Sequence, residues 1–100
     1  MDGGADVHAL SDDGYNSVTL AARNGGIPTL KFLIDRGCDV TVAGAMSRTA
    51  LHFAAEEGHE EICRMLLAAG ADPSAETTSG DTPLQLGLRR GHDGLAAIFA

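Results

Sequence analysis

The chain has 100 residues, 44% of them apolar and 21% charged, with a formal charge of −7 at neutral pH. That length makes one domain with a modest core, of ordinary soluble globular composition. The acidic balance argues against a broad basic face for nucleic acid or an anionic membrane, and no apolar run approaches the roughly 18 residues of a membrane span.

Residues 1–13 read as the end of a unit whose helices are missing, with Gly4-Ala5-Asp6-Val7 closing a helix and Asp12-Asp13-Gly14 forming a turn tip. The chain is therefore expected to start inside a unit, either as a fragment of a longer array, the favoured reading, or as a natural half-unit beginning at Met1. Residues 14–46 follow with two short helical patterns. Asn16 is placed to cap the first, and Val18 reaches its core side. Pro28 falls in the first turn of the second, where its missing amide proton costs little. Leu30, Leu33 and Ile34 line the buried face, and Gly37 ends it.

Residues 47–79 carry the clearest copy. Thr49 caps a helix bearing Leu51, Ala54 and Ala55, which Gly58 stops. Glu60 and Glu61 open the next helix, where negative charge suits the dipole. Its apolar face is Ile62, Met65, Leu66 and Leu67, and Gly70 ends it. Residues 80–100 begin alike, with Thr82 as cap and Pro83 at the first helical position. Gly87 and Leu88 then stand where the earlier copy has Ala54 and Ala55. Leu88 would obstruct a further helix pair, so this last unit reads as a cap. Helices of roughly eight to ten residues fall below the about 12–15 at which isolated helices become marginal. Each pair must therefore pack on another.

A shift of 33 residues lays the chain on itself. Gly4, Gly37 and Gly70 coincide, as do Gly25, Gly58 and Gly91, then Asn16, Thr49 and Thr82, and Leu33, Leu66 and Phe99. This is a structural repeat. The stretch Thr49-Ala50-Leu51-His52-Phe53-Ala54-Ala55, followed by Gly58-His59 and Leu66 to Asp72, resembles the ankyrin-repeat family. Thr82-Pro83-Leu84 and Gly91-His92 repeat the match. The resemblance covers nearly the whole chain. It implies an all-α repeat solenoid, residues 1–100 as one domain of stacked helix-turn-helix units with projecting β-turns. It also implies that His52 ties neighbouring loops, a role that Thr19 cannot take over in the weaker copy.

Little in the chain invites catalysis. His59 and Cys63 are four apart on one helix, but zinc normally takes three or four protein ligands and no second pair lies nearby. His59 and His92 share one repeat position, which favours a structural role. No serine or cysteine sits in an activating motif, and no glycine pair has the context of a phosphate loop. Glu56-Glu57 and Glu60-Glu61 are adjacent on helices and point apart. Cys38 and Cys63 look like small buried hydrophobes. No enzymatic activity, no cofactor and no metal are expected.

The resemblance implies a protein-interaction module, working through the turn tips and the inner face of the first helices. The alternative is a structural spacer or an in-cis regulatory segment of a larger enzyme or channel. Leu20, Phe53 and Leu86 share one register and are expected to form an apolar stripe on the concave side, the alternative being that they are partly covered packing residues. Tyr15, Met46 and Arg48 lie on or near the turns above it. Arg23, Glu56, Glu57, Arg89 and Arg90 would edge it with charge, and the register predicts ion pairs Arg23–Glu56 and Glu57–Arg90. The expected partner is a protein with a mixed or basic surface, not nucleic acid or membrane. The N-terminus lacks a basic, apolar signal pattern, so a cytoplasmic or nuclear location is expected; a monomer is expected as well.

Overall fold

The computed structural model of the chain describes residues 17–99. The tail at 1–13, His8, Tyr15 and the capping residue Asn16 lie outside the described residues. Six helices follow in order: α1 Ser17–Asn24, α2 Ile27–Asp35, α3 Ala50–Glu56, α4 Glu60–Ala68, α5 Pro83–Arg89 and α6 Leu95–Phe99. Among the described residues there is no strand. Consecutive helices pair antiparallel across glycine turns, and the pairs stack. One layer is α1, α3 and α5; the other is α2, α4 and α6.

The start of each helix follows from its cap. Thr49 and Thr82 adopt extended backbone, and their hydroxyls accept from the amides of His52 and Gln85. Each of those side chains reaches back to the cap's own amide, closing a capping box. The helix ends are equally regular. Gly26, His59 and His92 donate their amides to the carbonyls of Ala21, Ala54 and Gly87, at 2.9 Å in all three cases. That is one bond repeated at intervals of 33.

Gly25 and Gly58 are required twice. Each holds a positive φ, at 77° and 76°. Each also lies under the imidazole of the following pair: a Cβ on Gly25 would come within 3.2 Å of His59, and one on Gly58 within 2.8 Å of His92. Gly87 has a different reason. A side chain there would overlap Leu95 and approach the Ala55 carbonyl oxygen at 2.9 Å. Its bareness lets α5 lie close to α3 while Leu95 fills the space.

The core runs unbroken along the stack. Val18, Leu30, Leu51, Ile62, Leu66 and Leu95 are fully buried, with Ala22, Ala54 and Ala55 between the first-layer helices. Small residues there permit close helix approach, and the leucines and isoleucine fill the gap between layers. Leu88 stays on the surface.

Candidate functional site

The candidate site is the inner face of α1, α3 and α5 together with the turns that precede α3 and α5. The two turns are built alike. Gly44 and Thr77 donate to the carbonyls of Arg48 and Asp81, both at 2.9 Å. Ser47 and Gly80 donate back to Gly44 and Thr77, at 3.0 and 2.8 Å. The Thr78 amide then reaches the Met46 carbonyl at 3.0 Å, joining one turn to the next.

The two turns differ where conformation is demanding. Gly80 takes φ 83°, but the same place 33 residues earlier is Ser47, at φ 57°, beside Met46 at φ 61°. Left-handed backbone costs a residue with a Cβ about 1–2 kcal/mol. The ladder of turn bonds holds both residues there. The outcome is a methionine at the tip, 58% exposed.

His52 secures the second turn from below. It is fully buried, and its ring meets the Thr49 amide and hydroxyl and the Asp81 carbonyl. The Thr49 amide, which can only donate, lies 3.1 Å from Nδ1, so Nδ1 accepts. Nε2 therefore carries the proton and donates to the Asp81 carbonyl at 2.9 Å. Burial pushes the His52 pKa below the ordinary imidazole value, against the pull of the Asp81 carbonyl. The folded state thus binds this proton less readily than the unfolded chain does. The stabilisation is complete above the unfolded value of about 6.5 and is lost as pH falls toward the folded one. Urea midpoints are expected to fall between about pH 7 and pH 5, before most carboxylates titrate. His52→Gln should remove that slope; a flat wild-type profile would refute the assignment.

Charged side chains crown this scaffold. Arg48 Nη2 bonds Glu56 Oε1 at 2.9 Å, and Arg90 Nη2 approaches Glu56 Oε2 at 3.3 Å. Arg89 Nη2 bonds Asp81 Oδ1 at 2.8 Å, and that bond holds the Asp81 carboxyl below its usual range. The Arg48 and Arg23 guanidiniums lie 5.0 and 5.8 Å from the centre of the Phe53 ring.

These contacts revise the expected pairs. Glu56 is held by Arg48 and Arg90, and Arg23 turns to Phe53 instead of Glu56. Among the described residues, Glu57 makes no ion pair and Arg90 has moved to its neighbour. The reason is reach. An arginine in the turn extends to the last turn of its own helix eight residues on, a contact that comparing equal register positions does not reveal. The same link recurs as Asp81–Arg89, each partner 33 residues after Arg48 and Glu56 and of opposite sign. Asp81 is the residue missed, although its place after Arg48 in the register marks it.

The apolar stripe is also narrower than expected. Leu20 is 42% exposed, but Phe53 and Leu86 are each only 7% exposed. At Phe53 the cause is visible: two guanidiniums stack over the ring and take the place of solvent. Leu86 is buried in α5 beside Pro83 and Gly87. Of the expected apolar site residues described, Leu20 and Met46 are therefore the exposed ones; Arg23, Glu57, Arg89 and Arg90 are exposed as well. Tyr15 lies outside the described residues.

The pairing of His59 with Cys63 offers no metal centre. Cys63 is fully buried, and burial pushes its thiol up to about 12, so it stays protonated at neutral pH. Among the described residues, no cluster of three or more His, Cys, Asp or Glu side chains is arranged to hold a metal ion. Nor is any described helix long and apolar enough to cross a membrane.

Comparison with known proteins agrees with this architecture. A family model described as ankyrin repeats (3 copies) matches residues 1–77 and again 20–99. The chain is 34% identical over 59 residues to human NAD-capped RNA hydrolase NUDT12, covering 59% of this chain and 13% of that protein. It is 34% identical over 100 residues to the Drosophila melanogaster E3 ubiquitin-protein ligase Ufd4, covering 97% of this chain and 4% of that protein. The mouse nuclear factor NF-kappa-B p105 subunit is 34% identical over 89 residues, 87% of this chain and 9% of its own length. The chain thus spans only a small part of each of these relatives. With matched residues running almost end to end and the glycine–histidine stacking that they encode, the chain belongs to the ankyrin-repeat family.

Proposed function

We propose that the chain is a non-catalytic module that binds a partner protein through its turn tips and the concave face of α1, α3 and α5. Ankyrin repeats are generally protein–protein interaction modules. One observation carries the reading for this chain. Met46 and Ser47 sit at positive φ, at a cost in stability, and the strained turn displays an exposed methionine two residues before Arg48. Strain retained on a surface marks function more often than packing, and exposed Met with Arg is typical of interfaces.

The test uses the chain as bait in cell extract, with cross-linking to map contacts. Met46→Glu and Leu20→Glu are expected to lower capture of cross-linked proteins by about tenfold or more, a loss near 1.4 kcal/mol. Lys31→Glu, on the opposite layer, should change nothing. If the Lys31 variant loses capture and the other two keep it, the binding face is the other one. A second reading, a spacer or in-cis regulatory segment, draws on the relatives, where the matching stretch is 4–13% of the protein. Cross-links confined to neighbouring domains of the same chain would favour it.

A further inference from the structure

The charge of the molecule is unevenly divided. Four of its seven basic residues, Arg23, Arg48, Arg89 and Arg90, gather on the concave side, beside three acidic ones among the described residues. Those three are Glu56, Glu57 and Asp81. Glu56 is held by two arginines and Asp81 by a third. Other described acids lie on or around the second helices, among them Glu60, Glu61 and Asp72, and Glu76 leads into the turn before α5. In a chain with a charge of −7, this face thus carries a slight excess of basic groups among the described residues.

The basic groups stand at two ends. Arg23 is at the α1 end, exposed over the Phe53 ring and without a carboxylate partner among the described residues. Arg89 and Arg90 are at the α5 end, both largely exposed. Between them is α3, with Glu56 already neutralised and Glu57 open. Packed helices are spaced by about 8–10 Å, so the two ends are about 20 Å apart. An extended peptide covers that distance in about six residues.

We propose that the concave face receives a short extended acidic segment of a partner protein, with carboxylates at both ends and an uncharged middle. This rests on the interaction reading above and departs from the mixed or basic partner that the overall charge suggests, because Arg23, Arg89 and Arg90 stand exposed on this face. Guanidiniums suit carboxylates because they can donate two parallel hydrogen bonds, and the Phe53 ring holds the Arg23 plane in place. The uncharged middle avoids Glu57. Nucleic acid fits less well. Its phosphates would continue past the arginines onto a surface that carries Glu60, Glu61 and Asp72.

The probe is a fluorescein-labelled peptide, Glu-Glu-Gly-Ser-Gly-Ser-Glu-Glu, titrated by anisotropy at low salt. Binding is expected to weaken steeply with added salt. Arg23→Gln and Arg90→Gln should each weaken it about fivefold to tenfold, and Arg64→Gln on the opposite layer should not. A peptide with the two Glu pairs adjacent should bind several-fold less tightly. Thermal melts of every variant confirm folding, and Arg23→Glu adds a second check, since it should bind worse than Arg23→Gln. The proposal fails if the all-Gln peptide binds equally, if Arg64→Gln matters as much as Arg23→Gln, or if an oligothymidylate of equal length competes better. It also fails if no binding is seen. In that case, Met46→Glu still abolishing capture would leave the interaction reading standing and remove only the acidic partner.

Discussion

Leu66→Ala is expected to destabilise the chain by about 2–5 kcal/mol. Leu66 is fully buried in α4, the middle helix of its layer, which contacts α2 on one side and α6 on the other. Truncation removes about three carbons' worth of transfer energy and leaves a hole that two neighbouring helix pairs line. Against a total of about 5–15 kcal/mol for a domain of this size, the loss could empty the native state. In repeat stacks each unit is held chiefly by its neighbours, so damage to the middle weakens both contacts. Leu67→Ala, one residue on and only partly buried, should cost clearly less. Urea midpoints with an unchanged slope would measure both. A cost for Leu66→Ala under about 1 kcal/mol would show that the core is held elsewhere.

Gly58→Ala should cost about 2–3 kcal/mol, and three glycines make the comparison internal. All three hold positive φ: Gly25 at 77°, Gly58 at 76° and Gly91 at 87°. Alanine at any of them meets backbone strain of about 1–2 kcal/mol, partly offset by a stiffer unfolded chain. At Gly91 nothing lies within 4 Å of the new methyl, so strain is the whole effect. At Gly25 the His59 ring is 3.2 Å away and must give slightly. At Gly58 the methyl would sit 2.8 Å from two atoms of His92 and 3.1 Å from its Cγ, close to the root of the side chain. The ring must leave, and with it goes the Nε2–H bond to the Glu56 carbonyl at 3.1 Å, worth about 1 kcal/mol. Denaturation midpoints should therefore fall in the order Gly91, Gly25, Gly58, the last most affected. Equal losses at all three would mean that the histidines do not key the stack.

The repeat itself was legible because its causes are local and recur. Threonine caps, a proline at the first turn and glycines at the helix ends each answer to the backbone of a few neighbouring residues. Their period of 33 then implies stacking without any knowledge of contacts. The site was less legible because its chemistry is made by long side chains. Arg48 chooses Glu56, eight residues away, and Arg90 chooses the same carboxylate from the next helix pair. Such choices depend on where the backbone sets each guanidinium. Phe53 illustrates the same limit. Its position in the pattern places it on the inner face, but whether it meets water is decided by two arginines that cover it. The cost at Met46 and Ser47 was hidden for another reason: the register sets Ser47 against Gly80, but only the torsion angles show that it keeps the glycine's conformation.

The histidine-on-glycine contact bears on how such a chain can gain or lose length. Because His59 sits on Gly25 and His92 on Gly58, an excision of residues 50–82 would bring His92 onto Gly25, and Thr49 would cap the helix begun by Pro83. Sterically the cut ends are interchangeable, so whole units can be shuffled or deleted without a mismatch. Electrostatically they are not. The shortened chain would set Arg89 where Glu56 had been, beside Arg23 and Arg48, with Glu56 and Asp81 both gone. Shape makes the units exchangeable parts, and the alternation of sign gives them an order.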